Sequence, residues 1–137
     1  MPAWAFVMLL AIGGLSGCSH ASVDRTDTPV RTIVISDIVN PETLYAHPGE
    51  EVRWKNDRDT PVRVGFLTMR LLDEVGCEKG MATIFGHLAD LVTIPPGESV
   101  SLCLVRSGDL KYNVWCDADN PKGAISRTAI VRIQQGG

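Results

Sequence analysis

The side chains with the widest chemical reach in this chain are its thiols and imidazoles. Cys77, Cys103 and Cys116 lie in its body and Cys18 ends its apolar opening, with His20, His47 and His87 spread between them. A thiolate grouped with two imidazoles and a thioether is the donor set of a copper centre. Met69 and Met81 could supply thioethers, yet no pair among these residues has metal-ligand spacing. His47 sits in the turn His47-Pro48-Gly49-Glu50 and His87 in an irregular stretch. The two methionines read as gap-fillers in a core. Cys116 with His87 would make a nucleophile and base, but nothing in their spacing supports the pair. The chain has no G-x-S-x-G elbow, no phosphate-binding glycine loop and no H-E-x-x-H. Asp117-Ala-Asp119-Asn120 offers the carboxylates of a calcium loop. It lacks the glycine at the sixth position and the glutamate at the twelfth, where Thr128 stands, and reads as a solvated loop. No enzyme is expected.

The elements that would position these residues are strands. At 137 residues, 45% of them hydrophobic, the chain has the material for one compact domain. Arg31–Ile38 is rich in β-branched residues, and a short strand at Thr43–Ala46 lies between Pro41 and the His47–Glu50 turn. Glu51–Asn56 alternates, with Val52 and Trp54 on one face and Arg53 and Lys55 on the other. Pro61–Thr68 puts Val62, Val64 and Phe66 together. After the turn at Pro95–Glu98, Ser99–Val105 groups Val100, Leu102 and Leu104. Asp109–Cys116 then groups Leu110, Tyr112, Val114 and Cys116, and Ser126–Gln134 closes the domain. About seven short strands with proline and glycine turns predict an all-β Greek-key sandwich over residues 31–137.

The same parity sorts the cysteines. Cys103 falls opposite Leu102 and Leu104 in the alternation and should face outward, whereas Cys116 should face inward with Val114. Cys77 lies in the long connection between Thr68 and Ile94, which in a sandwich can cross the outside of a sheet. Cys77–Cys103 is therefore the favoured disulfide, and Cys116 is left as a free, buried thiol. Closing a loop of about 26 residues would stabilise by about 3.5 kcal/mol on the chain-entropy model.

Three segments in order, Val52-Arg-Trp-Lys-Asn56, Pro96-Gly-Glu-Ser99 and Gly108-Asp-Leu-Lys-Tyr112, resemble those of cupredoxins of the plastocyanin type. The resemblance covers roughly residues 42–134. It implies that Asn56 ties the metal-end loops by hydrogen bonding. It also places Val62, just after Pro61, where the family carries its first histidine, and Val114 where it carries the cysteine. The loop Cys116–Ser126 has neither the second histidine nor the methionine of that family. These are degenerate copper-site positions, and the expectation is a domain with no metal and no other cofactor. The alternative keeps copper on Cys116 as a displaced thiolate, with His47, His87, Met69 or Met81 around it.

Residues 3–17 form an apolar run too short for a bilayer-spanning helix, which needs about 20 residues. Gly13, Gly14, Ser16 and Gly17 favour an extended, cleavable end. The run closes on Leu15-Ser-Gly-Cys18, which resembles the lipobox of bacterial lipoproteins. That resemblance implies a signal peptide at 1–17 and a Cys18 carrying acyl chains, palmitate among them. More than one chain is what stable anchoring requires. Ser19, where some lipoproteins carry an inner-membrane retention aspartate, points to the outer membrane, facing the periplasm. Residues 18–30, with His20, read as a polar tether about 20 Å in mean reach. The net charge of −3 gives no sign of a nucleic-acid footprint, and Arg53, Lys55, Arg58, Arg63 and Arg70, interleaved with acidic residues, read as a solvated face. The expected partners are the membrane, through Cys18, and an envelope protein bound by a non-catalytic module.

Overall fold

In the computed structural model, which describes residues 29–84, 87–120 and 122–136, the alternating apolar residues become the facing surfaces of two sheets. The leader, Cys18 and most of the tether lie outside the described residues. In chain order the strands are β1 (Val30–Ile35), β2 (Val39–Asn40), β3 (Thr43–Ala46), β4 (Glu51–Asn56), β5 (Val62–Phe66) and β6 (Val75–Lys79). They continue as β7 (Thr83–Ile84), β8 (His87–Leu88), β9 (Leu91–Ile94), β10 (Ser99–Leu104), β11 (Gly108–Trp115) and β12 (Ala129–Ile133).

One sheet has the order β2-β1-β4-β10-β6 and the other β3-β12-β11-β5-β9, with β7 and β8 as a separate small hairpin. Neighbours are antiparallel except for β1 beside β4 and β3 beside β12, which run parallel. Consecutive strands β3, β4, β5 and β6 switch sheets each time, so the two layers are laced by the chain itself. The fold is an all-β sandwich.

Between the layers, Trp54, Phe66 and Tyr112 form the aromatic centre of the core. Trp54 meets Phe66 edge-on at 5.5 Å and Tyr112 at 5.7 Å, the arrangement that brings ring edges onto ring faces. Met81 joins this core, as its reading as a gap-filler anticipates.

Among the described residues, ten strands make up the two sheets, against about seven expected. The additional ones carry weak sequence signals. β6 exposes four of its five residues, so it has no buried face to write an alternation. β9 alternates for only four residues before Pro95. β1 takes in Val30, which the sequence reading leaves in the tether.

The Cys77–Cys103 disulfide is present, with a sequence separation of 26, but its setting differs from expectation. Cys77 does not cross the outside of the sheet. It lies in edge strand β6, directly opposite Cys103 of β10, with Cα atoms 4.8 Å apart. That separation is close to the roughly 4.5 Å of a non-hydrogen-bonded antiparallel pair, where side chains approach most closely.

Candidate functional site

The parallel pairing of β1 with β4 gives the sandwich two distinct poles. Val30 lies beside Glu51 and Ile35 beside Asn56, so the chain enters at one pole and reaches the other about 16 Å later. The entry pole also holds the His47–Glu50 turn. There His47 Nδ1 bonds the Gln134 carbonyl at 2.9 Å, and Arg31 Nε donates to Glu50 at 3.0 Å. The far pole carries Asn56, Pro61, the Pro95–Glu98 turn and the segment after β11.

Asn56 is fully buried and organises the far pole. Its Nδ2 donates to the carbonyls of Thr60 at 2.8 Å and Ile94 at 3.0 Å, and its Oδ1 accepts from Arg58 N at 2.9 Å. Its backbone bonds Glu98 and Gly97. One side chain thus holds the loop after β4 against the turn after β9, and a buried amide with its partners met costs little to bury.

Val62 and Val114 are both fully buried members of the core cluster. Val62 pairs with Ile94 across β5 and β9, and Val114 with Val64 across β11 and β5. An isopropyl group has no lone pair to donate, so these two positions do not fit a copper ion. Among the described residues, no three His, Cys, Asp or Glu side chains gather as metal ligands. His47 stands at the entry pole, away from Cys116. The side chains of His87 and Met69 lie outside what the structure describes.

Cys116 departs from its expected place. The strand ends at Trp115, which bridges to Ile125, and Cys116 N turns to the Ala124 carbonyl at 3.2 Å. The inward parity of Val114 therefore stops short of it, and Cys116 is a free, half-exposed thiol. The loop beyond it is held by its own groups. Ser126 Oγ accepts from Val114 N at 2.8 Å, Asp117 Oδ1 accepts from Asp119 N at 3.0 Å, and Asn120 Oδ1 accepts from Lys122 N at 3.2 Å.

Cys116 lines a cleft of about 430 Å³ between the β1–β2 turn and Ala124–Arg127. Ile35, Ile38, Val39, Cys116 and Ile125 give it apolar walls, with Asp37, Glu42 and Arg127 among its polar lining. No histidine or methionine lines it. Sequence reasoning missed this cleft. Its one local signal is a pair of isoleucines in turn segments, Ile38 at 68% exposure and Ile125 at 52%.

The architecture is a cupredoxin-like β-sandwich. No protein-family model matches the chain, and no curated protein matches it. Among solved structures, an oxidised variant of amicyanin, a cupredoxin, has a TM-score of 0.50 at 14% identity, over 77% of this chain and 82% of that one. A copper(I) form of another amicyanin variant has a TM-score of 0.49 at 12% identity, over 80% and 88%. At such identity the likeness extends to the fold and no further.

Proposed function

We propose that this chain is a non-catalytic envelope lipoprotein, lipid-anchored at Cys18, whose cupredoxin-like sandwich binds a partner without metal. The observation that carries the reading is the full burial of Val62 and Val114 in an apolar core, at the positions where the family resemblance requires an imidazole and a thiolate. On this reading the features left for function are on the surface. The cleft beside Cys116 is one of them. The anchor rests on Leu15-Ser-Gly-Cys18, and in a host with two membranes the outer one, facing the periplasm, is its destination.

Copper titration of the purified protein tests the metal half. The expected result is no stoichiometric copper and no intense blue thiolate band. Stoichiometric copper that disappears in Cys116→Ser would overturn it and make Cys116 a displaced ligand. For the anchor, mass spectrometry of the native protein should find an acylated Cys18 as the mature N-terminus, with Cys18→Ala left unprocessed. An unmodified N-terminus at another residue would refute the anchor.

A further inference from the structure

We propose that the cleft beside Cys116 is the docking site for a protein segment that inserts an apolar side chain between flanking basic residues. This rests on the reading of the domain as a binding module and names what it binds.

A single exposed isoleucine is ordinary on a protein surface. Here Ile38 and Ile125, 68% and 52% exposed, come from segments nearly ninety residues apart in sequence and line one cleft with the half-buried Val39. A concave apolar surface of this kind accepts an anchor side chain from a partner and excludes water around it.

Charge then selects the partner. A shallower hollow shares Ser36 and Asp37 with the cleft and adds Asp57 and Asp59. Asp37 and Glu42 line the cleft, Asp57 and Asp59 the hollow beside it, and Asp117 and Asp119 lie in the loop that follows Cys116, all six exposed. Against them stand Arg58, Lys122 and Arg127. Arg58 is already engaged, with Nη1 donating to the Ser36 carbonyl and to Asp37. Among the described residues, Glu42, Asp57, Asp59, Asp117 and Asp119 are in no salt bridge. At the entry pole, by contrast, Glu50, Glu74 and Asp109 each meet an arginine. Three carboxylates of the entry pole are thus paired with arginines, whereas five near the cleft are not. Such a rim speeds and orients the approach of a basic partner while repelling an acidic one.

Placement agrees with this. The cleft is at the pole opposite the entry of β1, so the point of attachment does not lie beside it.

The test uses the full chain in neutral-lipid nanodiscs, with empty discs as control, and three fluorescent synthetic peptides. One carries a Leu-Phe centre between lysines, one the same centre between glutamates, and one a Ser-Ser centre between lysines. Anisotropy should show the first binding at least tenfold tighter than either of the others. Ile38→Ser with Ile125→Ser should weaken it at least tenfold, and Asp57→Asn with Asp59→Asn should weaken it several-fold and flatten its salt dependence. All four positions are exposed, so thermal melts of the variants should match the parent. Equal binding of the serine-centred or glutamate-centred peptide, or no loss in the isoleucine variant, would overturn the proposal. The outcomes separate from those of the reading beneath it. Copper bound through Cys116 defeats the metal-free module whatever the peptides do, and peptide failure with no copper defeats only the docking site.

Discussion

The indole of Trp115 occupies the space over Gly65. A Cβ added to that glycine would stand 2.6 Å from Cζ3 and 3.0 Å from Cη2 of the ring. Trp115 and Gly65 lie on neighbouring strands β11 and β5, where Trp115 pairs with Arg63 and Gly65 with Asn113. A glycine inside a strand weakens it unless something packs where its side chain would be, and here the indole does so.

Gly65→Ala should therefore destabilise the domain despite the higher strand preference of alanine. The ring must swing off the sheet or the strands must part, at a cost of about 1–3 kcal/mol. Urea unfolding followed by tryptophan fluorescence would read both the lost stability and the displaced indole. A variant as stable as the parent would mean that Trp115 moves freely.

The disulfide fastens a strand with little else to hold it. β6 is an edge strand with four exposed residues, bonded only to β10. Cys77→Ala with Cys103→Ala should lower stability by about 2–4 kcal/mol. In hydrogen exchange, the Val75–Lys79 amides should lose protection before those of β4 or β11, since edge segments open first. Peptide mapping of the unreduced protein should recover Cys77 linked to Cys103.

Asn56→Ala should cost about 3 kcal/mol, because it leaves the Thr60 and Ile94 carbonyls and the Arg58 amide without their partner. The loss should be accompanied by amide shifts in the 57–61 loop and the Pro95–Glu98 turn, read by NMR. Asn56→Asp keeps the acceptor but loses the donor, so it should repair the Arg58 contact alone.

Acid should weaken the entry pole first. The Arg31 hydrogen bond, opposed by burial and helped by the His47 amide and the arginine charge, holds the Glu50 carboxyl below its ordinary range. A carboxyl depressed in the folded state adds stability above its unfolded pKa, and that stability is lost as pH falls through the folded value. Melting temperature should thus drop as pH falls below the ordinary glutamate range. Glu50→Gln, lower in stability at neutral pH, should show a shallower drop. Parallel curves for the two proteins would remove Glu50 from the acid response.

How much of this was legible in the residues depended on burial of one face. Val52 and Trp54, Leu102 and Leu104, Leu110 and Tyr112 each alternate with polar neighbours, so their strands and the sandwich could be read directly. β6 could not, since an exposed edge strand is specified by its hydrogen bonds rather than by apolar spacing. The positions of Val62 and Val114 were legible as core. The cleft was not, because Ile38 and Ile125 become neighbours only through the fold. The disulfide partner followed from the outward parity of Cys103, although the strand carrying Cys77 did not.

Cys116 shows where parity reasoning stops, and its reactivity is the last prediction. Alternation holds only while the ladder continues. Val114 is its last inward residue on β11, Trp115 bridges to Ile125, and the next residue turns out toward the Ala124 carbonyl. A thiol placed by parity alone would be sealed in the core and react only on unfolding. A half-exposed thiol on a cleft wall should instead react in the folded protein, more slowly than free cysteine because the walls restrict approach. Maleimide labelling without denaturant should therefore modify Cys116 and leave Cys77 and Cys103 untouched until reduction. The label should fill the cleft, so the modified protein should lose the lysine-flanked Leu-Phe peptide while keeping its melting temperature. Labelling seen only in denaturant would return Cys116 to the core. Labelling with peptide binding intact would move the docking site away from the thiol.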